Sequence, residues 1–164
     1  MVYQLSAYTG VVDTAPPDDP LALERQVCFA LAVASRNVIA LYRPLLEPMG
    51  LTHPQYLVML ALWQRAPLSV KELSGLLQLD PGTLSPLLKR LESAGLISRR
   101  RARDDERVLA VTLTPTGQDL RRQAELIPAA VFAELGLPMD ELLQLHAALT
   151  RVIEVTQKVG PDAP

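Results

Sequence analysis

The chain has 164 residues, with 16 Lys and Arg against 18 Asp and Glu, a formal net charge of −2, and 49% apolar but only 4% aromatic residues. That balance excludes a generally basic nucleic-acid coat, so affinity for a polyanion must come from a local patch. One cysteine excludes an internal disulfide, the longest notable apolar run (residues 27–34) is too short for a bilayer, and no secretory signal is evident. A single-domain cytoplasmic protein without membrane association is expected.

Residues 1–19 contain Pro and Asp without a sustained period and read as a mobile arm ahead of the domain, residues 20–164. Asp19-Pro20 has the form of an N-cap followed by proline at the first helical position. It opens a long predicted helix over residues 21–46, ending near Pro44 or at Pro48 and Gly50. Val27, Cys28, Ala30, Leu31, Ala34, Val38, Leu41 and Leu45 give this helix more than one apolar side. Such a helix needs cover on more than one side, and in so small a protein a second subunit would supply it. Thr52 caps the next helix, residues 52–65, with Tyr56, Leu57, Met59, Leu60, Leu62 and Trp63 inward, and Ala66-Pro67 breaks it. Ser69-x-x-Glu72 is a capping box opening a short helix through Leu77, with Leu73, Leu76 and Leu77 inward.

The turn Gln78-Leu79 leads into the stretch that organises the chain, residues 79–114. Asp80 is a good N-cap, Pro81 fits the first helical position, and Gly82 and Thr83 offer early amides to the Asp80 carboxylate. Leu84, Leu87, Leu88 and Leu91 form the stripe of an amphipathic helix. The opposite face carries Ser85, Pro86, Lys89, Arg90 and Ser93, small at first and basic one turn later. Pro86 costs a hydrogen bond, roughly 3 kcal/mol, and a local bend is expected. Gly95 ends the helix.

Two strands are predicted at residues 96–101 and 108–113, the second with Leu109, Val111 and Leu113 on one face. The polar segment between them is a hairpin tip. Arg99, Arg100, Arg101, Arg103 and Arg107 fall close together here. A solvated charged loop would have the same composition, but the polar-basic helix upstream turns the reading toward DNA. Helix then charged hairpin is a winged helix-turn-helix, with the helix in the major groove and hairpin arginines at the neighbouring backbone or minor groove. The candidate DNA-binding residues are Asp80, Gly82, Thr83, Ser85, Pro86, Lys89, Arg90, Arg99, Arg101, Arg103 and Arg107.

After the hairpin, Thr114-Pro115 restarts a helix to about Ile127, where Pro128 interrupts or kinks it. A last helix, residues 140–158, repeats Leu142, Leu145, Leu149, Val152 and Ile153 on one side. The expected fold is mainly α with a small β-hairpin wing. A DNA-binding core at about 52–114 lies between dimerisation helices at about 20–48 and 115–158. A two-fold dimer would present two recognition helices about 34 Å apart, matching a near-palindromic operator in double-stranded DNA.

Among Val27, Phe29 and Leu31, Cys28 has the neighbours of an inert core residue; a functional reading requires thiolate character, because the thiolate is what attacks a peroxide. His53 and His146 are the only histidines, too few ligands for a His/Cys metal site. No Gly-rich phosphate loop and no organised Ser/His/Asp set occurs, so no metal, cofactor or catalytic residue is expected.

Asp105-x-Arg107, Val111-x-Leu113-Thr114 and Gly117 resemble the wing signature of MarR-type transcriptional regulators. Cys28-Phe29-Ala30-Leu31, Ala34-Ser35-Arg36, residues 42–46, Thr52-x-Pro54-Gln55-Tyr56 and residues 79–90 are similar to the organic hydroperoxide resistance (OhrR) subfamily. The resemblance implies a homodimeric repressor, not an enzyme, released from DNA when an organic hydroperoxide oxidises Cys28. It implies that Asp105 orients Arg107, and that tyrosine hydroxyls, one at the position of Tyr42, hydrogen-bond the cysteine. Tyr42 lies fourteen residues beyond Cys28, about 21 Å along a helix, so only Tyr42 of the partner subunit can reach it, if the long helices cross antiparallel. A second family tyrosine is Ala32 here and a third is His53, which either replaces a hydrogen-bond donor at the sensor or faces water.

With one cysteine per chain, and the two copies set apart by that crossing beyond the roughly 7 Å disulfide limit, durable release would need a small cellular thiol forming a mixed disulfide. Further oxidation to sulfinic or sulfonic acid would add buried charge and release the DNA irreversibly. Two other readings stand beside this one. One is a MarR-type repressor released by a hydrophobic or aromatic ligand, with Cys28 incidental. The other is a thiol peroxidase, which gives the wing arginines no role.

Overall fold

The structure is a computed structural model that describes residues 19–101 and 109–159. The chain divides into two compact units, Met1–Ala124 and Glu125–Pro164. The elements are mainly helical with one small sheet, in accord with the fold class read from the sequence.

The first unit opens differently from expectation. The Asp19 side chain accepts from the Leu21 amide at 2.8 Å, but this caps a turn rather than a helix. A 3-10 turn at Leu23–Arg25 follows, and the extended backbone of Gln26 separates it from α1, Val27–Leu46. The Gln26 amide donates to the Pro20 carbonyl at 2.7 Å, a side-chain bond that stabilises the turn in place of a helical ladder. Pro44 is accommodated within α1, and a 3-10 turn at Glu47–Met49 with Gly50 at φ 65° ends the segment. Of α1 only Leu46 is buried. Val27–Met49 is long and apolar enough to cross a membrane, with mean hydropathy 1.2, a length that the short run at residues 27–34 did not suggest. Arg36 and Arg43, two turns apart on one face, interrupt it as an all-round apolar rod.

Helix α2, His53–Arg65, is capped by Thr52, whose amide donates to Gln55 Oε1 at 2.8 Å. It buries Tyr56, Val58, Met59 and Leu62. Leu60, expected inside, is exposed, and Val58 takes an inward position instead. The capping box of α3, Val70–Leu77, is present, with Glu72 N donating to Ser69 Oγ at 3.2 Å and Ser69 N to Glu72 Oε2 at 2.7 Å. Leu73 is buried but Leu76 is exposed, because one turn later the helix has rotated its leucine off the packed side. Gln78, at φ 52°, makes the left-handed turn into α4, Pro81–Ser93.

Strands β2, Ile97–Arg101, and β3, Leu109–Leu113, pair antiparallel as expected. A third strand, β1, Leu68–Ser69, was not legible: two residues show no period, and it exists only by pairing Leu68 with Val111 and Ser69 with Ala110. The strand order is β1-β3-β2. Leu84, Leu88, Leu91, Ile97 and Val111 are fully or nearly fully buried and join α4 to the sheet in one core with Val58, Met59, Leu62 and Leu73.

The helix expected over 115–127 is two short pieces, α5, Pro115–Asp119, and α6, Arg121–Ala124. The Gly117 carbonyl accepts from Trp63 Nε1 at 2.8 Å, an outside donor competing for an oxygen that a continuous ladder would use. In the second unit, α7, Ile127–Leu135, carries Pro128 in its first turn, so this proline begins a helix rather than kinking one. Helix α8, Met139–Val159, is an amphipathic rod with no buried residue among 139–158: Leu143, Leu145, Val152, Ile153 and Val155 are exposed.

Candidate nucleic-acid interface and redox site

Helix α4 presents its polar face as the sequence suggested. Asp80 Oδ1 accepts from the Thr83 amide at 2.9 Å and Oδ2 from the Thr83 hydroxyl at 2.6 Å. These bonds hold its carboxyl below the usual range, so the cap is charged at neutral pH. Gly82, Thr83, Ser85, Pro86, Lys89 and Arg90 are all exposed, while Leu84, Leu88 and Leu91 fix the opposite side. The helix continues through Pro86, and the Ser85 hydroxyl donates to the Pro81 carbonyl at 2.7 Å across that first turn.

The joint between α4 and the wing is closely bonded. Gly95, at φ 70°, reverses the chain, and Leu96 N donates to the Leu91 carbonyl at 3.0 Å. Thr114 then closes the far side of the hairpin, donating from its hydroxyl to the Gly95 carbonyl at 2.6 Å and from its amide to Leu96 O at 3.1 Å. Gly117 sits against the Leu96 backbone so closely that a Cβ would overlap the Leu96 carbonyl.

On β2 the arginines separate. Arg99 donates from Nε to Glu92 Oε2 at 2.9 Å and from its amide to Oε1 at 3.2 Å, with Nη2 also on Oε2. Arg100, on the other face of the pleat, is exposed. The side chain of Arg101, and Arg103, Asp105 and Arg107 entirely, lie outside the described residues, so the hairpin tip does too. Glu92 was not singled out from the sequence; its signal is a carboxylate seven residues before an arginine, across a helix-ending glycine.

Cys28 stands in the first turn of α1 and is exposed. The same unbroken helix carries Tyr42, so the two cannot meet within one chain. The Tyr42 ring packs edge-on against His53 with centroids 4.9 Å apart and lies 6.0 Å from Tyr56, which in turn is 6.4 Å from Trp63. His53 therefore joins Tyr42 rather than simply facing water. Burial lowers its pKa, which favours the neutral imidazole. Tyr56 is raised by burial and by the neighbouring Tyr42. Beside this pair opens a cavity of about 870 Å³, lined by Arg36, Ile39, Ala40 and Arg43 of α1 and by Leu51, Thr52 and His53. Arg36 and Arg43 were not marked as site residues, although their spacing of seven places them on one helix face.

Comparison with known proteins bears on this arrangement. The MarR family profile matches residues 51–109, the segment from the start of α2 to the second wing strand. Over 136 residues the chain is 41% identical to the organic hydroperoxide resistance transcriptional regulator of Bacillus subtilis, covering 83% of this chain and 92% of that protein. The chain belongs to the MarR family. Another family relative, the HTH-type transcriptional regulator TtmR of Methylorubrum extorquens, is 46% identical over 132 residues, 80% of this chain and 68% of that one. Among solved structures, reduced AbfR bound to DNA superposes with a TM-score of 0.67 at 34% identity, covering 82% of this chain and 94% of AbfR. AbfR is also known overoxidized on DNA and in a disulfide form. These MarR-family relatives are transcriptional regulators rather than enzymes.

Proposed function

We propose that this MarR-family chain is a cytoplasmic, homodimeric, DNA-binding transcriptional repressor whose Cys28 senses organic hydroperoxide. The observation that carries the reading is the layout of α1. One continuous apolar helix bears an exposed cysteine at one end and, at the other, Tyr42 packed on neutral His53 beside an open cavity. Two such helices crossing antiparallel bring Cys28 of each subunit to Tyr42 and His53 of the other, and cover apolar surface that is bare in a single chain. Helix α4 enters the major groove of a near-palindromic operator through Ser85, Pro86, Lys89 and Arg90. Asp80, Gly82 and Thr83 form its capped start at the backbone, and Arg101, Arg103 and Arg107, the last oriented by Asp105, serve the wing.

The Cys28 thiolate attacks the distal peroxide oxygen, the O–O bond breaks to give a sulfenic acid, and the alkoxide that leaves is protonated to the alcohol. A small cellular thiol then condenses with the sulfenic acid, releasing water and leaving a mixed disulfide. The bulk of that adduct at the subunit crossing, rather than added charge, displaces the winged units; overoxidized AbfR on DNA favours bulk over charge.

The test pairs intact mass with operator binding, for wild type and Cys28→Ser, after hydroperoxide with and without added thiol. The expected result is a thiol adduct that no longer binds, and a Ser variant that binds throughout. An adduct that still binds fully, or a Cys28–Cys28 crosslink as the main product, sinks the mechanism. The cavity with Arg36 and Arg43 favours one second reading, release by a bound amphipathic anion. That reading requires the Cys28→Ser variant to be released by a carboxylate ligand without any oxidant.

A further inference from the structure

The wing arginines are not equivalent. In the antiparallel register Arg99 stands opposite Val111, which is fully buried, and Arg100 stands opposite Ala110. Cross-strand partners share a face, so the Arg99 stem lies on the side of β2 turned to the core and Arg100 on the other. The Gly95 reversal brings position 99 back past the end of α4, where Glu92 waits. A carboxylate in the last turn of a helix faces the negative end of its dipole and is unfavourable there without a cation. Glu92 has that cation: Arg99 engages both carboxylate oxygens through Nε, Nη2 and its own amide. The carboxyl is held below its usual range by these bonds, so the pair is ionised at neutral pH. Guanidinium and carboxylate neutralise one another, which leaves Arg99 little charge to offer a phosphate.

We propose that Arg99 is a positioning residue that, through Glu92, fixes the wing to the recognition helix, and that exposed Arg100, its neighbour in β2, contacts the DNA backbone. This rests on the DNA-binding reading above. It divides two roles that one basic run conceals. A cation on phosphate releases counterions, so its loss flattens the dependence of log K on log salt, whereas a lost clamp lowers affinity at every salt.

The experiment uses the full reduced chain with the duplex most enriched from a randomised pool by the wild type, between 50 and 200 mM salt. Each dimer loses two phosphate contacts in R100Q, so the slope should shrink by about two. R99Q and E92Q should each weaken binding about tenfold with the slope unchanged, and the double variant should be no worse than either single one. A second readout needs no DNA: amide hydrogen exchange across Ile97–Arg101 should quicken about tenfold in E92Q and R99Q but not in R100Q. If R99Q flattens the slope as R100Q does, or E92Q binds more tightly because it frees Arg99, the assignment is overturned. Unchanged exchange in E92Q and R99Q also overturns it. A wild type that enriches no duplex would instead remove the DNA reading, with the clamp still judged by exchange.

Discussion

His53 ties a local environment to a pH response. Because burial lowers its pKa below the ordinary 6.5, the unfolded chain takes up a proton before the folded chain does as pH falls. Stability from neutral His53 is therefore complete above about pH 6.5 and declines as pH drops toward the lowered value. Urea midpoints measured at pH 7.5 and below 6.5 should fall for wild type and fall less for His53→Gln; identical declines would place His53 outside this titration. Tyr42→Phe keeps the ring against His53 and removes only the hydroxyl. A hydrogen bond to a charged group contributes about 1.5–3 kcal/mol, so Cys28 oxidation should slow at least about tenfold while reduced-state operator binding holds. An unchanged oxidation rate places Tyr42 outside the sensor. At this scale the sequence showed which chemistry was present but not its direction. Arg99 and Arg100 are adjacent cations in the string, and only the pairing of β2 with β3 turns one toward Glu92 and the other to solvent.

Helix starts were legible because caps are local. Asp80 with Thr83 and Ser69 with Glu72 satisfy amides within four residues of chain, so spacing alone reveals them. Asp80→Ala should lower the midpoint of chemical denaturation, and a neutral result would mean that the Thr83 amide finds water at no loss. Interruptions set by distant groups were not legible. The split between α5 and α6 depends on Trp63, 54 positions away, and β1 on Val111. Gly117 is the most sensitive residue of this region. Gly117→Ala forces a methyl group into the Leu96 carbonyl, and overpacking against backbone should destabilise by about 1–3 kcal/mol. A wild-type midpoint would show that α5 can shift away from the wing base freely.

For the whole molecule, the excess apolar surface of α1 was readable from composition, and the structure leaves that surface and much of α8 bare in a single chain. In each unit taken by itself, the exposed leucines, isoleucines and valines along the long helix are more than scattered chance. Deleting residues 140–164 should abolish the soluble dimer and operator binding together, as read by sedimentation and anisotropy; a well-folded, DNA-binding monomer would refute the dimer architecture. Where a helix begins within the first 26 residues was not readable, since Asp19-Pro20 has the local form of a helix start and only Gln26 bonding back to Pro20 shows otherwise.

The bond from Trp63 Nε1 to Gly117 has an optical consequence. Trp63 is the only tryptophan in the chain. It touches the base of the wing through its N–H and stands 6.4 Å from Tyr56, itself 6.0 Å from Tyr42. Its emission therefore reports two places at once. Wavelength follows the indole hydrogen bond, and tyrosine-sensitised intensity follows the ring stack that leads to Tyr42. A change of angle between α1 and the wing would be visible in the unlabelled protein, in real time, as a colour shift accompanied by a loss of energy transfer.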